Sequence, residues 1–281
     1  MERLSVSKSF GGEQSVWKHA SLALACEMRL SVYTPPLEMH GPGPWPTLFW
    51  LSGLTCTEDN FTVKAGAQRA AAELGLMIVA PDTSPRGDHV PDLEPKAYDF
   101  GKGAGFYVDA TEAPWSANYR MYAYVAEELP ALVAAHFPAD PRRFGIFGHS
   151  MGGHGALTIH LKHAEKFRSC SAFSPIVAPS SVPWGRKALT HYLGPDETTW
   201  APYDATRLLD DRRGSPAHIL IDQGASDPFL AEQLKPELFA EAARKAGQKL
   251  TLRMREGYDH SYFFIATFIE DHLRWHKDAL G

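Results

Sequence analysis

Long apolar runs are missing from this 281-residue chain. The longest candidate, residues 262–269, spans eight residues, whereas a membrane-crossing helix needs about 20. A membrane role is therefore not expected. Basic excess is missing too: 28 Lys and Arg against 33 Asp and Glu give a formal net charge of -5. That balance lacks the positive footprint of a nucleic-acid-binding protein. Cysteine is scarce. Cys26, Cys56 and Cys170 show no CxxC spacing and, being three, cannot all pair. Neither a disulfide framework nor a zinc knuckle is indicated, and a reducing cytoplasm is the expected compartment. Residues 1–10 carry no apolar stretch of the kind a secretory signal has. What is present suits a folded chain: 44% hydrophobic and 11% aromatic residues can build a core without disulfides or metals. One domain over residues 1–281 is expected, since α/β folds often use about 250 residues as a unit.

Two strand-like runs open the chain. Residues 15–20 follow Gly11-Gly12, and residues 22–34 partly alternate, so an antiparallel pair is expected. Prolines at 35, 36, 42, 44 and 46 argue against a central strand there. Beyond them, apolar runs at 47–51, 77–80, 144–147, 170–173, 218–221 and 250–254 read as strands. They alternate with helical stretches at 65–73, 119–136, 153–163, 234–246 and 262–277. This alternation implies an α/β fold: a mostly parallel sheet with helices on both faces and an N-terminal antiparallel strand pair. Two long irregular stretches, 83–115 and 174–208, are read as functional loops.

Gly148-His149-Ser150-Met151-Gly152 is a GxSxG. Alone it is a weak signal. Here a strand runs into it and a helix opens after it, the strand-turn-helix that lifts a serine above the sheet edge in an α/β-hydrolase. A serine hydroxyl needs a base beside it, and histidine titrates nearest to working pH. Of the eight histidines after Ser150, His154, His160 and His163 ride the elbow helix and His218 opens a strand. His272 and His276 form an i, i+4 pair that lacks a third ligand, so a solvated helix face is expected rather than a metal site. His260 stands between the last strand and the last helix, where catalytic groups gather, and is read as the base. Asp227, in the loop after the strand that contains Asp222, is read as the acid. Asp222 is read as a buried structural carboxylate. Asp259 adjoins His260 and should point away from it.

The longer motifs resemble the S-formylglutathione hydrolase (esterase D) family. They are Trp50-Leu51-Ser52-Gly53-Leu54-Thr55-Cys56-Thr57-Glu58, Ala80-Pro81-Asp82-Thr83-Ser84-Pro85-Arg86-Gly87 and Gly103-Ala104-Gly105-Phe106-Tyr107-Val108-Asp109-Ala110-Thr111. Asp99-Phe100-Gly101, Asn118-Tyr119-Arg120-Met121-Tyr122, the elbow through Gly155, and Gly257-Tyr258-Asp259-His260-Ser261-Tyr262 complete the set. The resemblance puts the family's triad on Ser150, Asp227 and His260. It implies hydrolysis of S-formylglutathione to glutathione and formate, side activity on short esters, no cofactor and no metal. It admits a homodimer.

In such a mechanism the oxyanion donors would be the Met151 amide and, from the loop after the first parallel strand, the Leu54 amide. Lys64, Arg86, Trp184, Arg186 and Lys187 are candidates to line the thiol side; each also reads as a solvated charge or a packed ring. Cys56 is read either as a small packed side chain or as a near-site thiol whose modification blocks the pocket. The rival functions are a broad short-chain carboxylesterase or thioesterase on this scaffold, and a non-catalytic binding protein on a hydrolase fold.

Overall fold

Phe10 and Gly11 take left-handed dihedrals, with φ of 49° and 79°. Two such residues in succession make a tight turn whose twist suits a hairpin. In this computed structural model, which describes residues 1–211 and 214–281, that turn joins β1 (Glu2–Ser9) to β2 (Gly12–Ser21), and β3 (Cys26–Thr34) pairs with β2. The expected antiparallel pair is therefore β2 and β3, and β1 is an addition. It was illegible because it lies at a sheet edge with its residues exposed, so no buried alternation marks it. The second expected strand also starts late, because residues 22–25 form a turn in which Leu22 is 93% exposed.

The remaining strands are β4 (Trp45–Leu51), β5 (Met77–Pro81), β6 (Ala139–His149), β7 (Phe167–Phe173), β8 (Ile219–Gly224) and β9 (Leu250–Arg255). All nine join one sheet in the order β1-β2-β3-β5-β4-β6-β7-β8-β9. β3 meets β5 antiparallel, and from β5 onward every pairing is parallel. Central strand β4 begins at Trp45, so Pro46 lies inside it after all. The register slips there, from Trp45 opposite Ala139 to Thr47 opposite Phe144, and such an irregularity lets the ladder tolerate a missing N–H.

Alternate residues of β4 serve opposite faces, as the strand period of two requires. Phe49 and Leu51 enter one core with Leu157, Val133 and Phe239. Leu48 and Trp50 enter the other with Ala71, Phe264 and Leu273. Among the described residues, the α-helices of seven residues or more are α1 (Glu58–Lys64), α2 (Gln68–Leu74), α3 (Leu129–His136), α4 (Met151–Lys162), α5 (Pro183–Leu193), α6 (Ala205–Asp211), α7 (Pro236–Ala246) and α8 (Tyr262–Leu280). The first core packs α3, α4 and α7 on one face, and the second packs α2 and α8 on the other. This is the expected α/β-hydrolase arrangement.

Helix α1 was not expected. It starts on a capping box in which the Thr57 hydroxyl accepts from the Asp59 amide and the Asn60 side chain accepts from the Thr57 amide. The stretch 174–208 is also less irregular than read, since it contains α5 and the start of α6. Residues 83–115 do remain mostly irregular. Side chains anchor their backbone: Ser84 Oγ accepts from the Gly103 amide at 2.7 Å, and the Tyr192 hydroxyl donates to the Ala104 carbonyl at 2.9 Å. Among the described residues, no helix is long and apolar enough to cross a membrane.

Candidate active site

Ser150 links β6 to α4 with φ 58° and ψ −118°. A non-glycine residue at positive φ costs about 1–3 kcal/mol and persists only where its surroundings hold it. Here the Ser150 amide donates to the Phe173 carbonyl at 3.0 Å, and its own carbonyl accepts from the His154 and Ile176 amides. The turn also brings backbone against backbone. A Cβ at Gly152 would lie 1.9 Å from the Leu51 carbonyl oxygen, and one at Gly148 would lie 2.4 Å from the Gly152 oxygen. Both positions therefore require glycine. The turn sets Ser150 at the N-terminus of a 12-residue helix, where free amides and the helix dipole favour negative charge.

The other two residues of the expected triad come from separate strand ends. Asp227 follows β8 and His260 lies between β9 and α8. His260 Nδ1 donates to Asp227 Oδ2 at 2.5 Å. The Phe229 amide donates to Asp227 Oδ1 at 2.9 Å, and Gln223 Nε2 approaches Oδ2 at 3.4 Å. With Nδ1 so committed, His260 Nε2 is left as the acceptor. Asp222 accepts from Arg253, Arg255 and His272 and is fully buried, as a structural carboxylate should be. Asp259 turns to the Ser261 amide and hydroxyl instead of His260.

Ser150 and His260 line one cavity of about 340 Å³ together with Leu54, Cys56, Lys64 and Trp184. Among the described residues no hydrogen bond joins Ser150 to His260. Without substrate, catalytic contacts of this kind are commonly long. The cavity's mouth and walls include residues that sequence reasoning missed: His149, Asn60, Tyr98, Phe229 and Tyr262. Phe229, two residues past Asp227, and Tyr262, two past His260, could have been found from those neighbours. Tyr98 carries no such signal. It comes from the long irregular stretch and accepts a hydrogen bond from Trp184 Nε1 at 3.0 Å.

The charged candidates separate clearly. Lys64 lines the cavity, sits 5.7 Å from the centre of the Tyr262 ring, and has no carboxylate partner among the described residues. Arg86 lines a different cavity and holds both oxygens of Asp82 at 2.6 and 3.0 Å. Arg186 pairs with Glu197 at 2.6 Å, and Lys187 pairs with Asp99 at 2.5 Å. None of these three lines the Ser150 cavity. Burial pushes the Cys56 thiol up, against weaker pulls from Tyr262 and Lys64, which disfavours the reactive thiolate.

His272 and His276 are not on a solvated face. Both are fully buried. The inward side of α8 crosses β7, whose serines meet the rings: His272 Nδ1 lies 2.8 Å from Ser171 Oγ, and His276 reaches Ser169 at 2.6 Å and Ser171 at 2.9 Å. The i, i+4 spacing marked a buried polar seam rather than an exposed stripe.

The Esterase family profile matches residues 21–275. An S-formylglutathione hydrolase of Mus musculus is 55% identical over all of this chain and 99% of its own length. That of Bos taurus is 53% identical over the same shares. The solved S-formylglutathione hydrolase of Agrobacterium tumefaciens is 54% identical and superposes with a TM-score of 0.97, covering all of both chains. With full-length identity above one half and the same fold throughout, the chain belongs to the S-formylglutathione hydrolase family of esterases.

Proposed function

We propose that this chain hydrolyses S-formylglutathione to glutathione and formate through an ester on Ser150. The observation that carries this reading is the His260–Asp227 pair, closed at 2.5 Å on the same cavity as the elbow serine. In the reaction His260 Nε2 takes the Ser150 proton as Oγ attacks the formyl carbon. The oxygen that gains charge is met by the Leu54 and Met151 amides. Collapse breaks the C–S bond and expels the thiolate, which receives the proton from His260. Water, deprotonated by the same nitrogen, then attacks the formyl-serine ester; collapse breaks the ester C–O bond, returns that proton from His260 to Ser150 Oγ and releases formate. Asp227 fixes the tautomer and stabilises the imidazolium.

The cavity's apolar wall, including Leu54, Trp184 and Phe229, suits short uncharged esters as well. The test is a comparison of kcat/KM for S-formylglutathione with that for a short aryl acetate. At least a tenfold preference for the thioester is expected. Equal or inverted values would make the broad esterase the better reading.

Glutathione brings two carboxylates, and Lys64 is the cavity-lining cation left without a carboxylate among the described residues. Lys64→Met is expected to raise KM for the glutathione thioester about two- to tenfold, the modest size being that of an exposed ion contact. Its kcat/KM for an uncharged aryl acetate should not move. An equal change for both substrates would remove Lys64 from anion recognition.

A further inference from the structure

We propose that His149 is a positioning residue for the general base. Its buried ring and that of Phe229 hold the His260 imidazole from two sides. The proposal rests on the assignment of His260 as base.

Three observations carry it. The His149 ring centre lies 4.3 Å from that of His260 at 45°, in direct contact. Phe229 meets His260 edge-on at 5.1 Å and 81°. The Asp227 hydrogen bond holds Nδ1 at a single point, and the tilt of the ring is left to its packing neighbours. The two flanking rings set that tilt. Third, His149 lies beside the oxyanion loop, close enough that a side chain on Gly53 would meet it. A Cβ on Gly53 would lie 3.3 Å from His149 Nδ1 and 3.2 Å from the Ser150 Cβ. One ring therefore stands beside both the base and the oxyanion loop.

The chemistry of His149 agrees with a passive role. Its Nε2 is buried without a hydrogen-bond partner. Burial holds its basicity well below the ordinary histidine value, and the neighbouring His260 lowers it further. A second cation would oppose the imidazolium that His260 becomes. The other groups packed around it, the Tyr262 ring at 6.3 Å and the Gly53 backbone, bring no charge.

The test uses His149→Ala, His149→Leu and His149→Phe in the full chain, with active sites counted by a fluorophosphonate. His149→Ala should lower kcat per labelled site at least tenfold for both thioester and aryl acetate, with KM within twofold. Should it fail to fold, His149→Leu is read in its place. His149→Phe keeps a neutral flat ring and should restore kcat to within about threefold, with an unshifted pH profile of kcat/KM. Unchanged kcat in His149→Ala or His149→Leu, or His149→Phe as impaired as the others, would overturn the proposal. His260→Ala separates it from the reading beneath: if that variant stays active, the base assignment itself fails; if it is inactive while His149→Ala is not, only the clamp fails.

Discussion

Ser150→Ala is expected to lower thioester turnover by about four to six orders of magnitude, the range found when a serine nucleophile is removed and only binding and the oxyanion donors remain. The variant should still fold. Ser150 side chain makes no hydrogen bond among the described residues, and the turn is held by backbone contacts to Phe173, His154 and Ile176. Its melting temperature should stay level or rise slightly, because a polar atom kept for chemistry contributes little to the fold. The combination is diagnostic: activity and fluorophosphonate labelling disappear while stability does not. Near-parental activity would take Ser150 out of the reaction. Loss of labelling in the parent protein would instead support a non-catalytic scaffold. Asp227→Asn should cost about 10⁴ by leaving His260 in the wrong tautomer. It is the less clean experiment, since Asp227 also accepts from the Phe229 amide and organises its own loop.

The positions proposed for the triad were easier to read from the sequence than the walls of the cavity they share. Ser150 was legible because its conformation demands Gly148 and Gly152, and glycines at fixed offsets survive in the text of a sequence. His260 and Asp227 were legible because chain order and strand ends restrict where they can stand. Arg86, Arg186 and Lys187 were not separable from Lys64 in the same way. Each falls in a stretch read as a loop that could have faced the cavity, although Arg186 and Lys187 lie on α5, and what decides is whether a carboxylate lies nearby in space. Asp82, Glu197 and Asp99 do so for the three. Edge strand β1 escaped for want of a buried face. The pair His272 and His276 was misjudged because polarity normally predicts exposure, and the serines of β7, together with Asp222 for His272, make their burial tolerable.

Stability is expected to fall steeply as pH drops from 6.5 toward 4. His149, His154, His160, His272 and His276 are all buried, and burial lowers the basicity of each below the ordinary value of 6.5. His154 and His160 are both pushed to about 4. In the unfolded chain these rings take up protons near 6.5. Between that pH and 4 the unfolded state therefore binds more protons than the folded state, so stability rises with pH across the window. The contribution is intact above 6.5 and lost progressively below it. A gap of this size is worth on the order of 3 kcal/mol per ring, and two such rings alone rival a typical domain's whole margin of about 5–15 kcal/mol. Glu58 and Asp109, raised by burial, act in the opposite sense and relieve part of the loss at the acidic end. Asp140, held at about 2 chiefly by Arg142, loses its contribution only at lower pH still. Urea denaturation at a series of pH values from 7.5 to 4.5 reads this directly and independently of activity; a flat midpoint would refute it. His160 isolates one share. Its Nδ1 donates to the Phe167 carbonyl and its Nε2 accepts from Ser215, each at 2.7 Å. His160→Gln can keep one or both bonds without titrating, so it should remove about 1.4 kcal/mol per pH unit from the slope between 6.5 and 4, whatever it costs at pH 7.5.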